Sequence, residues 1–314
     1  MKSITTTLLL LCLVALGFVN TLPIKGYGNL TPYNIYTYDE VSRQKYAQPL
    51  TPQPQQVFAF AGLSDTKQSF NMIYSKGKDS ITWGTVNYID GTVSDQYTFA
   101  VPTPVTLKNV NGVQWVQKDN NSTLYYLTID KVHGDNIVHW VTSAILDGHS
   151  DKVTVWPIGF SDIAQGAFDY TTELDYYAVL IDQYALYYKA YWFDPYFNQT
   201  LKVANFNVPV SPIFKIFAYE KTLYIVQPSS TSNNFIEISS LNWSDETVTI
   251  VAKIPVSTQP NQLDIYVNGN FIIVSSTGLN QPQPDVALIY LQSFAVLDYI
   301  QGLSSGPGSN YYIY

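Results

Sequence analysis

Cysteine is all but missing from this chain of 314 residues: Cys12 is the one example, and it sits in an N-terminal apolar run. Beyond that run the chain cannot form disulfides, use a thiol nucleophile, or bind zinc or iron–sulfur clusters through thiolates. Histidine is scarce too, with only His133, His139 and His149. Charged residues reach 13%, where a soluble domain has roughly 25%. There is no run of Lys or Arg, the formal net charge is −8 and the pI is about 4.7. Nucleic acid and anionic membrane surfaces both select a basic face, so neither is an expected partner. After the N-terminus no apolar run is long enough for a membrane-spanning helix.

Aromatics are plentiful at 15%, with 26 Tyr, 15 Phe and 6 Trp. With many Val, Ile and Thr, and few of the residues that fill helices, they predict an all-β chain. Hydrophobic residues make up 46%, enough for a full core.

The first residues, MKSITTTLLLLCLVALGFVNT, place Lys2 ahead of an apolar block from Leu8 to Val19. That is the layout of a secretory signal peptide, taken here as 1–21, with cleavage expected between Gly17 and Thr21. The chain is expected to be secreted, with no membrane span. Sequons at Asn29, Asn121 (overlapping one at Asn120), Asn198 and Asn242 make these candidate N-glycosylation sites. Asn121, Asn198 and Asn242 fall in predicted turns.

Period-2 patterning predicts short strands almost throughout. They group into units of four at about 53–104, 105–158, 159–210, 211–257 and 258–303. The third strand of a unit tends to end at an acid, as in Asp90-Gly91, Asp147-Gly148, Asp194-Pro195 and Ser244-Asp245. The fourth then stops near a proline: Pro102, Pro157, Pro209 and Pro255. Asp accepts hydrogen bonds from turn backbone, Gly supplies positive φ, and Pro cannot donate to a ladder. Asp39, with Pro49 after it, extends the series, so the acids recur at intervals of 51, 57, 47 and 51 residues. The fifth unit departs, turning at Ser293-Phe294.

A repeat of roughly 50 residues carrying four strands is the signature of a β-propeller blade. Each sheet has two apolar faces that only neighbours can cover. Residues 22–314 are therefore expected to form one propeller. Six blades are favoured, the last shared between 22–52 and 304–314; five blades with an N-terminal extension is the second count. A large β-sandwich is the alternative fold. No Trp-Asp or kelch signature is present.

Catalytic motifs are few. His133 and His139, six apart, would lie roughly 20 Å apart on one straight strand at ~3.3 Å per residue, too far for one ion. A turn between them is expected, and no metal or cofactor site is assigned. Ser161 in Gly159-Phe-Ser161 lacks the second glycine of a nucleophile elbow. Gly302 to Gly308 reads as a polar linker. Ser75 to Trp83 has the residue types of a sialidase Asp box at the wrong spacing. Paired carboxylates are the remaining kit, with Asp169 and Asp264 on innermost strands and Asp175 and Asp182 further out. The Tyr-rich stretch Tyr170 to Tyr196 suits either a contact face or packing between blades. No catalytic residue is assigned. The expected function is a secreted, glycosylated, non-catalytic binding or adhesion module for an extracellular protein or carbohydrate. The alternative is a carboxylate-dependent glycoside hydrolase or lyase on the same scaffold.

Overall fold

A computed structural model of the protein describes residues 26–313. The exceptions are 31–33, 40–44, 64–68, 88, 103–104, 106, 108–109, 119–120, 147–149, 170, 172–174, 183, 185, 195–198, 282–283 and 303–309. The expected signal peptide, Asn198, His149, and the Asp147-Gly148 turn lie outside the described residues.

The described chain is all strand and turn. Blade 1 holds β4 (Gln56–Leu63), β5 (Ser69–Ser75), β6 (Ser80–Asn87) and β7 (Val93–Ala100). Blade 2 holds β8 (Asn111–Lys118), β9 (Asn121–Val132), β10 (Asp135–Leu146) and β11 (Ser150–Phe160). Blade 3 holds β12 (Ala164–Phe168), β13 (Tyr176–Ile181), β14 (Tyr188–Asp194) and β15 (Gln199–Phe206). Blade 4 holds β16 (Lys215–Tyr219), β17 (Thr222–Pro228), β18 (Phe235–Asn242) and β19 (Thr247–Pro255). Blade 5 holds β20 (Pro260–Asn268), β21 (Phe271–Gly278), β22 (Asp285–Tyr290) and β23 (Ala295–Ile300). A sixth four-stranded sheet has the order β24 (Asn310–Ile313), β1 (Gly26–Leu30), β2 (Asn34–Asp39), β3 (Lys45–Pro49).

The first strands of neighbouring blades meet in a closed ring: β4, β8, β12, β16, β20, β24 and back to β4. This is a β-propeller. The sandwich alternative does not apply, because the sheets are arranged radially around one axis.

Burial follows each strand's place in its blade. Middle strands are covered on both faces, as in β13 (YYAVLI), buried at every residue. Fourth strands are mostly exposed, as in β15 and β19. The core is divided into five clusters, four of them between successive blades. The remaining cluster joins blades 1 and 5 and takes in Ile35 from the closing sheet. Each fully buried aromatic contributes about 1.5–3 kcal/mol by area alone. The Tyr-rich stretch belongs here: Tyr176, Tyr177 and Tyr188 are fully buried, and Trp140 stacks on Phe193 at 4.6 Å. Burial pushes the Tyr176 hydroxyl far above its ordinary value and the Tyr188 hydroxyl up to about 12. Among its described residues the stretch is mostly interblade packing, with Tyr184 and Leu186 exposed.

Two glycines bring the hub strands together. A Cβ on Gly112 (φ +59) would lie 2.4 Å from the Gly166 Cα, and one on Gly166 would lie 2.1 Å from the Tyr176 hydroxyl. The Asn111 amide ties the same strands, donating to the Ala164 carbonyl and accepting from the Gly166 N–H, each at 3.0 Å.

Every complete blade carries a register shift between its third and fourth strands, at Trp83/Gly84, Val138/His139, Trp192/Phe193, Ile238/Ser239 and Leu288/Ile289. Such bulges add twist at the outer edge. In blade 2 the bulge absorbs Pro157, which pairs with His139 while β11 runs on to Phe160. The expected proline stop is corrected there: an edge strand tolerates a residue without an N–H.

Candidate active site in the central channel

The first strands enclose a cavity of about 570 Å³ at the hub. Its polar lining includes amides from four different first strands, Gln56, Gln114, Gln165 and Gln262, joined by Asn111 and Asn261. Among the described residues lining it, Lys215 and Asp264 are the charged ones. They stand on adjacent strands, β16 and β20. Lys215 Nζ lies 3.5 Å from Asp264 Oδ1, and both side chains are a little over one quarter exposed. Phe168, Phe214, Phe217 and Tyr266 border the cavity too, but all four are buried in the clusters between blades. The pair can accept a proton and oppose a developing negative charge.

Asp169, the other hub acid expected from the sequence, does not line the cavity. It is fully buried and spans two blades. Oδ1 accepts from the Thr171 N–H at 2.8 Å and its hydroxyl at 2.6 Å, and Oδ2 accepts from the Lys221 N–H at 2.7 Å. A parallel bridge from Asp169 to Ala218 completes this staple from blade 3 to blade 4. The two acids expected to pair therefore face different surroundings. Asp175 accepts from the Trp192 indole and Asp182 from the Tyr184 N–H, both capping local structure.

The remaining motifs also resolve into scaffold. His133 (φ +53) and Gly134 form the turn between β9 and β10. His139 is buried, with Nδ1 3.1 Å from Asp130 Oδ2. Ser161 is buried in the link from blade 2 to blade 3, its hydroxyl within 2.7 Å of the Ile163 and Ile181 carbonyls. Ser211 repeats the arrangement in the next link, with its hydroxyl 3.1 Å from the Ile213 carbonyl. Of the sequons, Asn29 sits in β1 between β2 and β24, and Asn121 opens β9, in a strand where a turn was expected. Asn242 is exposed at the end of β18, its side chain accepting the Ser244 N–H at 2.9 Å.

Sequence reasoning passed over Lys215 and the amides. A signal existed: a glutamine falls within the first four residues of β4, β8, β12 and β20, and Lys215 opens β16.

Fold and site together define a propeller with a polar hub cavity and one ion pair on its wall. No family model matches the chain, and no curated protein matches it by sequence. Solved structures do match its fold. A Bacteroides fragilis protein described as a candidate 6-phosphogluconolactonase superposes with a TM-score of 0.52 at 10% identity, over 94% of this chain and 99% of that one. A Bacteroides uniformis protein of the same description gives 0.50 at 10% identity, over 92% and 100%. The periplasmic gluconolactonase of Pseudomonas aeruginosa gives 0.48 at 13% identity, over 89% and 79%. These likenesses concern the fold. They also correct the expectation of a non-catalytic adhesion module: the two Bacteroides propellers carry lactonase names, which lie nearer to the enzyme alternative.

Proposed function

We propose that the hub cavity is the active site of a hydrolase or lyase acting on a sugar derivative, and that hydrolysis of a sugar lactone is the reaction its residues suit best. The observation that carries this reading is the Lys215–Asp264 pair on the cavity wall. Glycoside hydrolysis uses two carboxylates, whereas among the described lining residues Asp264 is the one acid. Ester hydrolysis needs only one base.

In this mechanism Asp264 accepts a proton from water as the water oxygen bonds to the lactone carbonyl carbon. Lys215 donates to the carbonyl oxygen as it gains charge. The ring C–O bond breaks, its oxygen takes the proton back from Asp264, and the product is the open hydroxy acid. Asp264 ends as it began. Positioned acid–base catalysis of this kind contributes about 10²–10⁴-fold.

The test is turnover of a lactone and oligosaccharide panel by the purified protein, followed by proton release or product analysis. Hydrolysis that collapses in Asp264→Asn, while the fold stays intact, is the expected result. A silent panel, or full activity in the variant, overturns the proposal.

Export and glycosylation belong to the same reading, supported by the N-terminal run and the sequons. Recovery of the chain from culture medium, with a mass that drops on N-glycosidase treatment, is the expected outcome.

A further inference from the structure

We infer that the hub cavity selects an uncharged, polyhydroxylated ligand and discriminates against its phosphate ester. The inference rests on the reading of this cavity as the ligand site. Its ground is the charge balance of the wall. Lys215 is the one cation among the described lining residues, and its ammonium lies 3.5 Å from the Asp264 carboxylate. The positive charge is already opposed. A phosphate dianion placed near Lys215 would also face Asp264, and like charges at that range in a partly desolvated site repel strongly.

Phosphate sites are usually built from Arg forks, unopposed Lys or a helix N-terminus. The chain has a single arginine, Arg43, which lies outside the described residues. The net charge of −8 adds a field that disfavours anions.

The remaining polar groups fit hydroxyls. Amide side chains both donate and accept, as a sugar hydroxyl does. Blade 5 adds Ser275, Ser276 and Thr277 from β21, the last with its hydroxyl donating to the Gln262 side-chain oxygen Oε1 at 3.2 Å. Amides and hydroxyls that each donate and accept match the alternating demands of sugar hydroxyls.

Calorimetric titration of the full chain with a neutral hexose and with the same hexose 6-phosphate tests this. The hexose is expected to bind at least about tenfold more tightly, a difference near 1.4 kcal/mol. Asp264→Asn leaves the Lys215 charge unopposed, so it is expected to narrow that gap by raising affinity for the ester. Equal or tighter binding of the ester by the unaltered protein overturns the inference, as does no binding of either sugar. A gap unchanged by Asp264→Asn overturns its electrostatic basis. Failure of the catalytic reading looks different: the hexose binds, yet no lactone or glycoside is turned over.

Discussion

Asp90 at the rim and Asp264 at the hub are the same residue type on the same scaffold, in opposite circumstances. Asp90 is fully exposed and accepts the Thr92 N–H at 2.9 Å, closing the outer hairpin of blade 1 beside Gly91 (φ +75). Asp245 repeats this in blade 4, accepting from the Thr247 N–H at 3.1 Å and its hydroxyl at 2.7 Å. Hydrogen bonds from Thr92 and Thr247 hold both carboxyls below their ordinary values. Nearby Asp95 is bound by the Tyr74 hydroxyl and the Lys76 ammonium. Burial works to raise its carboxyl, and the hydrogen bonds and charge of Lys76, with Tyr74, leave it lowered. Rim acids are thus consumed by local partners. At the hub, Asp169 is consumed as well, by a neighbouring blade. Asp264 takes the Ile265 N–H at 3.1 Å and the Lys215 ammonium on Oδ1, yet its side chain stays a little over one quarter exposed on the cavity wall, which makes it the acid available for chemistry.

The largest effect that would sharpen this contrast is on activity. Asp264→Asn should lower lactone turnover by about 10²–10⁴-fold and leave the urea midpoint nearly unchanged. A comparable loss of activity in Asp90→Asn would break the distinction between rim and hub.

Next comes stability. Asp169→Ala should lower unfolding free energy by about 3 kcal/mol, because two backbone N–H groups and a hydroxyl lose their acceptor. Urea denaturation measures it, and a loss below about 1 kcal/mol would remove the staple from the account. Gly166→Ala should cost about 1–3 kcal/mol through overpacking against the buried Tyr176 ring. Wild-type stability in that variant would mean that the Tyr176 ring packs less tightly over β12 than these distances give.

The smallest effect concerns pH at the rim. A carboxyl whose folded value is depressed stabilises the fold above its unfolded value and loses that contribution as pH falls through the folded value. The double variant Asp90→Asn, Asp245→Asn should therefore melt slightly below wild type at neutral pH, and the difference should vanish in acid. An equal gap at both pH values, read by thermal melts, would show that carboxylate charge plays no part in these turns.

Much of the fold was legible in the sequence. Every strand expected between Gln56 and Ile300 has a counterpart, and the turn acids Asp90 and Asp245 sit where the repeat placed them. The reason is that alternation and turn chemistry act over a few residues. The misses came from contacts between strands. Pro157 could continue β11 because that strand is an edge and a bulge faces it. Asn121 entered β9 because the β8–β9 pairing runs to its very end, with Lys118 opposite Asn121. None of the outer bulges could be read, since they depend on how the fourth strand twists against the third.

The sequence by itself determined strands, turns and the fifty-residue repeat, because these arise from local preferences written into each short segment. Only the tertiary structure decided which polar groups meet. Lys215 and Asp264 are forty-nine positions apart, and nothing in the local sequence separates Asp169, just past the end of β12, from Asp264 within β20. Closing the ring turned one acid into a staple between blades and left the other on a cavity wall, paired with a lysine from the neighbouring blade.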